Sequence, residues 1–209
     1  MAEISAAQVK QLRDKTGAGM LDCKKALEEA GGDLGEAEVV LRKKGISAAA
    51  KRQSRAARQG AIGAYIHPGS QLGVMIEVNC ETDFVARTDR FQDLVKDLAM
   101  QVAAADPKYL RREEVPAEVL QKEKEIASER ARNEGKPEKV IEKIVEGRLT
   151  KFYEEVCLVD QPFIKDNSVT IDQLIKSLIT TLQENIQIAR FVRFKVGETA
   201  VEAEGPAAE

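Results

Sequence analysis

The sequence predicts an α+β protein: a three-helix unit, followed by a core in which a small three-stranded antiparallel sheet is packed with helices and carries a helical hairpin. Three observations lead there. Residues 60–80 and 186–196 alternate apolar and polar positions with the period of two that a half-buried strand requires. Between these runs, apolar residues recur at helical spacing. The first 54 residues break into short amphipathic segments at glycines. The expected division is 1–54 for the first unit with its basic connector and 55–196 for the core, with the helical hairpin at about 116–156. An acidic, Ala/Gly/Pro-containing tail over 197–209 is expected to be disordered.

The first unit opens on a capping box, Ser5-Ala6-Ala7-Gln8, with Ile4 and Val9 placed as a hydrophobic staple. Its first helix is expected to run to about Lys15 and to end at Thr16-Gly17-Ala18-Gly19. A second covers Met20 to Ala30 and stops at Gly31-Gly32, with Met20 and Leu21 beside a Gly-flanked turn that leaves at least one exposed. Asp33-Leu34-Gly35-Glu36 caps a third, which is expected to end before Gly45. Helices this short are marginal alone and must pack on one another.

Gly60 to His67 and Gln71 to Asn79 read as a hairpin around Pro68-Gly69-Ser70, with His67 at the strand end. Phe91, Leu94, Val95, Leu98, Ala99, Val102 and Ala103 follow the helical period from Thr88 to about Ala105, and Asp106-Pro107 ends that helix. Pro116 opens the helical hairpin and Gly135-Lys136-Pro137 divides it. Its second helix carries an apolar stripe, Val140 to Tyr153, whose extra surface must meet the sheet or another subunit. Residues 161–170 read as a loop, and a helix from Ile171 to about Glu184 follows. In the last strand Ile186, Ile188, Val192, Phe194 and Val196 are expected on one face.

Composition narrows the function. A net charge of -3 gives no long-range attraction to nucleic acid or to an anionic membrane. Aromatic residues are 4% with no Trp, too few for a base-stacking surface. No apolar run approaches the roughly 20 residues that span a bilayer, and MAEISAAQVK lacks a signal-peptide core, so a cytoplasmic protein is expected. Cys23, Cys80 and Cys157 fit no metal or redox spacing and read as reduced, small apolar residues. The basic run Arg42 to Arg58 reads either as a phosphate-binding strip or as a solvated connector that touches an acidic partner.

The stretch Asn79-Cys80-Glu81-Thr82-Asp83-Phe84-Val85 joins a strand to a helix, as binding loops do. Either Phe84 and Val85 turn inward while Asp83 caps a turn, or the loop is offered to a partner. No paired carboxylates, nucleophile motif, metal cluster or nucleotide loop stands out, so the residues describe a two-part binding protein and not an enzyme.

On longer motifs the chain resembles a known family, elongation factor Ts. Leu12-Arg13-Asp14-Lys15-Thr16-Gly17-Ala18-Gly19-Met20-Leu21-Asp22-Cys23-Lys24-Lys25-Ala26-Leu27 is similar to its first signature, with Leu21 where a Met is common. Glu77-Val78-Asn79-Cys80-Glu81-Thr82-Asp83-Phe84-Val85 is similar to the second. A third similarity runs through Glu146-Gly147-Arg148 and Gln161-Pro162-Phe163 to Phe191-Val192-Arg193-Phe194, so coverage reaches about Gly197.

The resemblance implies a guanine-nucleotide exchange factor for elongation factor Tu, with no cofactor of its own. Thr82, Asp83, Phe84 and Val85 would form the exchange loop, inserted beside the partner's Mg²⁺ and phosphates. The first unit would be ubiquitin-associated-like and would bind through Leu12, Arg13, Met20 and Leu21; Leu for Met keeps the apolar volume. His67 matches a hairpin-end His and is expected as a further contact. Longer relatives carry two related core halves and this chain carries one, which implies a homodimer in a two-to-two complex; the stripe of the second hairpin helix agrees with that. The rival readings are a non-exchanging dimeric adaptor and an RNA binder using residues 42–58.

Overall fold

The structure, a computed structural model, describes residues 4–198, with the side chains of 46–48 and 50 left aside; residues 199–209 of the expected tail lie outside them. Three helices come first: α1 (Ala6–Thr16), α2 (Met20–Glu29) and α3 (Leu34–Arg52). The hairpin β1 (Gln59–Ile66) and β2 (Leu72–Cys80) follows, then the single turn α4 (Asp83–Ala86) and the long α5 (Asp89–Ala105). The helical hairpin is α6 (Ala117–Asn133) and α7 (Glu138–Val156). A small hairpin, β3 (Pro162–Phe163) and β4 (Asp166–Thr170), leads into α8 (Ile171–Leu182) and β5 (Ile186–Lys195). The fold is α+β as expected.

The capping box forms at α1: Ser5 Oγ accepts the Gln8 N–H at 3.2 Å and Gln8 Oε1 accepts the Ser5 N–H at 3.0 Å. Val9, Leu12, Cys23, Leu27, Ala37 and Leu41 are buried together between the three helices. The third helix does not stop before Gly45. It runs on to Arg52, so much of the expected connector is helical. Gly45 is a contact point and not a terminator: a Cβ there would lie 3.1 Å from both Cγ2 and Oγ1 of Thr180 on α8, and the Thr180 hydroxyl donates to the Gly45 carbonyl at 3.2 Å. Four residues on, Ala49 is fully buried in the main core. The same helix therefore belongs to both cores.

The main sheet is antiparallel in the order β1-β2-β5. Val74, Ile76, Val78 and Cys80 face the core, where α5 and α8 cover them with Phe91, Leu98, Ile175 and Ile179. On the neighbouring strand Gly63 lets α5 approach, since a Cβ would lie 2.4 Å from Val95 Cγ1. The last strand differs from the sequence expectation. Val78 pairs with Ile188 but Glu77 pairs with Arg190, so Ala189 is a bulge that reverses the alternation. Ile186, Ile188 and Phe191 face the core, whereas Val192 and Phe194 point out on the opposite face. There they join exposed Ile62, Ile66 and Met75 in an apolar outer surface, crossed by the Glu77–Arg190 ion pair at 2.8 Å.

Residues 161–170 form the β3–β4 hairpin where a loop is expected, because Pro162 and Phe163 pair with Thr170 and Asp166. Buried Gln101 holds that hairpin from α5, donating to the Pro162 carbonyl at 3.2 Å and accepting the Ile164 N–H at 2.9 Å. In α7 the apolar stripe is largely covered by α6: Ile141 is buried, Ile144, Val145, Leu149, Phe152 and Tyr153 are half-buried, and Val140 is exposed. The outer face of the sheet, by contrast, leaves Ile62, Ile66, Met75, Val192 and Phe194 exposed together.

Two glycines should respond to alanine with opposite signs. Gly60 has φ 150°, and a Cβ would meet the Val78 carbonyl oxygen at 2.2 Å. Gly60→Ala is expected to cost about 3 kcal/mol in urea unfolding. Gly147 lies within α7 with nothing within 4 Å; Gly147→Ala is expected to add about 0.5–1 kcal/mol.

Candidate partner-binding site

Beyond Cys80 the chain passes through Glu81 and Thr82 into α4, the stretch expected to be a loop. It is one helical turn of 4 residues. Two N-caps create it. Thr82 is extended at φ −125°, and its hydroxyl accepts the Val85 N–H at 3.3 Å. Thr88 repeats this for α5, accepting the Phe91 N–H at 3.3 Å while donating to the Val85 carbonyl at 2.8 Å. From below, Gln92 donates to the Ala86 carbonyl at 2.6 Å.

The turn sorts its side chains sharply. Ala86 is buried and Val85 is half-buried against the main core. Phe84 is 81% exposed, so the alternative in which it turns inward does not hold. A phenyl ring left in water forgoes about 2 kcal/mol of transfer free energy, which a partner covering it recovers. Asp83 is half-exposed beside it and pairs with Arg87 at 3.0 Å.

Behind the turn stands a polar cluster. The Glu184 carboxylate accepts both the Thr82 N–H at 3.0 Å and the Thr82 hydroxyl at 2.6 Å. Glu81 Oε1 accepts the Asn185 N–H at 2.6 Å and lies 3.5 Å from the Arg55 guanidinium. The Cys80 thiol donates to the Thr82 carbonyl at 3.1 Å; burial and then the charge of Glu184 push its pKa up to about 11. Burial does the same for Cys157, also to about 11, so these are inert structural thiols. All three cysteines are free and buried.

Sequence reasoning missed Glu184 and Asn185. Their only signal is a polar trio, Gln183-Glu184-Asn185, between an apolar helix and an apolar strand.

In the first unit Arg13, Met20 and Leu21 are exposed, the last two at 50% and 73%. Leu12 is different. It is completely buried, so it packs the three helices and presents nothing to a partner; that contact is corrected. The turn holding Gly17 sits against the core, since a Cβ there would lie 3.5 Å from Arg90 Nη1 on α5 and 3.7 Å from Thr181 Cγ2 on α8. Met20 and Leu21 therefore lie at the same end of the core as Phe84.

His67 does not. It is exposed at the far end of the β1–β2 hairpin, with Nδ1 3.0 Å from the Tyr65 hydroxyl. Eight strand residues at about 3.3 Å each separate it from Thr82 by roughly 25 Å.

The basic run is partly occupied within the chain. Lys44 pairs with Glu29, Arg52 donates to Gln183 and Arg55 meets Glu81. Among the described residues no three His, Cys, Asp or Glu side chains cluster as metal ligands, and no helix is long and apolar enough to cross a membrane.

Comparison with known proteins bears on these motifs directly. The family model described as elongation factor TS matches residues 2–198. The chain is 62% identical to "Elongation factor Ts" of Solibacter usitatus (strain Ellin6076) over 212 aligned positions, covering 100% of both chains. It is 60% identical to "Elongation factor Ts" of Moorella thermoacetica over 96% of this chain and 99% of that one. With the protein of the same name from Anaeromyxobacter sp. (strain Fw109-5) the identity is 59%, over 95% and 90%. Both signatures and the turn they position lie within these matches: the chain belongs to the elongation factor Ts family of translation elongation factors.

Proposed function

We propose that this chain is a guanine-nucleotide exchange factor that acts on elongation factor Tu in the cytoplasm, with the Phe84 turn as the exchange element. The observation that carries the reading is a phenyl ring 81% exposed on a turn that is capped and buttressed from the opposite side. An aromatic group held rigidly in water is suited to entering a partner.

GDP in such a partner is held by phosphate contacts and Mg²⁺. Phe84 gains cover only by opening a space between packed elements of the partner, and it thereby favours the arrangement with a disturbed Mg²⁺ and phosphate site. Asp83 offers a carboxylate beside the wedge that helps hold the displaced arrangement, while Thr82 and Val85 fix the turn. By linkage, whatever factor Phe84 gains from the nucleotide-free state is the factor by which GDP is weakened. No covalent step is needed. Arg13, Met20 and Leu21 supply a second contact at the same end, with the flexible Met and Leu adapting to a partner helix.

A second copy of the chain is part of the same reading. The outer sheet face, with Ile62, Ile66, Met75, Val192 and Phe194 exposed, is the apolar surface that a homodimer would cover. A dimer would also give the hairpin end with His67 of the second copy a route to a partner docked on the first, in a two-to-two complex.

The test of exchange is release of fluorescent GDP from elongation factor Tu with this protein substoichiometric. Fast release over many turnovers is expected. Binding without acceleration would favour an adaptor. For the assembly, light scattering at micromolar concentration should give the mass of two 23.0 kDa chains, and Phe194→Lys should give one. A single-chain mass for the unmodified protein would contradict the dimer.

A further inference from the structure

We infer that Glu184, at the junction of α8 and β5, is the positioning residue of the Phe84 turn, and that Asn185 beside it ties the turn to the first unit. The inference deepens the exchange reading and rests on it for its kinetic consequence.

An exposed wedge is effective only if its backbone does not yield when it meets resistance. The 4 residues of α4 cannot supply that stiffness from within, because one helical turn fixes several dihedrals for few hydrogen bonds. The Thr82 hydroxyl is the N-cap, and it must present a lone pair to the Val85 N–H. A free hydroxyl rotates. Here its proton is drawn to Glu184 at 2.6 Å, which leaves the oxygen's lone pairs for the cap, and the second carboxylate oxygen takes the Thr82 N–H at 3.0 Å. One side chain thus fixes both the position of Thr82 and the direction of its hydroxyl.

The next residue extends the brace. Asn185 is 1% exposed; its N–H donates to Glu81 at 2.6 Å, and its side-chain amide donates to the Arg55 carbonyl at 2.6 Å and the Gln53 carbonyl at 3.3 Å. These two carbonyls belong to the segment leaving α3. Glu81 and Thr82 are therefore held by two consecutive residues, one of which also grips the exit from the three-helix unit. Gln183 adds the third tie, through Arg52 of α3. A partner seated on Met20 and Leu21 would thus be presented with Phe84 at a fixed offset.

The test compares Glu184→Ala, Glu184→Gln and Thr82→Val in the full chain by two readouts. The first is amide hydrogen exchange in the free protein. Glu184→Ala and Thr82→Val should each raise exchange at Val85 and Ala86 by about tenfold while protection in β2 and α5 stays unchanged. The second is GDP release from elongation factor Tu as a function of factor concentration. Both variants should lower the saturating rate by about tenfold or more and move the half-saturating concentration by less than about threefold. Glu184→Gln keeps an acceptor for the Thr82 N–H and loses the one that takes the hydroxyl proton, so it should fall between wild type and Glu184→Ala in both.

Wild-type amide exchange at Val85 in Glu184→Ala would overturn the brace. Raised exchange with an unchanged saturating rate would overturn its role in positioning. If the unmodified chain itself fails to accelerate release, the exchange reading falls, and the amide result alone decides whether the brace stands.

Discussion

A helical turn of four residues does not hold itself, and an apolar ring on its outer side pulls it toward collapse. The Asp83–Ala86 turn is held from behind: Thr82 caps the Val85 N–H, Thr88 and Gln92 donate to the Val85 and Ala86 carbonyls, and the carboxylate of Glu184 fixes Thr82. Those partners come from the end of β2, the start of α5 and the α8–β5 junction. The exposure of Phe84 is thus a property of the whole core, since loosening any of three elements would let the ring fold back.

The same junction explains why the three-helix unit is not an appendage. Gly45 brings α3 within contact of Thr180, and Ala49 is buried among core residues. A helix shared between two hydrophobic clusters transmits position as a rigid rod would, without a flexible linker's entropy. The surfaces around Met20 and Phe84 consequently lie at one end of the molecule, whereas His67 is carried to the other by the length of a strand. The outer sheet face lies between the ends. A protein with apolar surface left bare on a sheet has a reason to pair.

Much of this was readable in the residues. Capping patterns at Ser5 and Asp33 located helix starts because each is a local hydrogen bond, the helical period located α5, and the period-two runs located β1, β2 and β5. Gly45 misled because glycine serves both helix ends and close helix crossings, and only the position of Thr180 separates the two. The bulge at Ala189 misplaced the outer half of β5, since alternation counted along a strand assumes an unbroken register. At the candidate site, the Thr82–Val85 stretch stands out in the residues as the join from a strand into a helix, whereas the direction of Phe84 is set by packing that the residues alone leave open. Leu12 was assigned outward because motif membership does not report burial. Glu184 and Asn185 went unseen because they act across about a hundred residues of sequence.

The most direct measurement is the concentration dependence of GDP release from elongation factor Tu with Phe84→Ala. If Phe84 acts as a wedge whose cover favours the nucleotide-free state, removing about 2 kcal/mol of that cover should lower the saturating rate roughly thirtyfold. The half-saturating concentration should change by less than about threefold, because uniform binding is left to other contacts. A variant that keeps the wild-type saturating rate and loses only affinity would contradict the account, and Phe84 would then be an anchor and not a wedge.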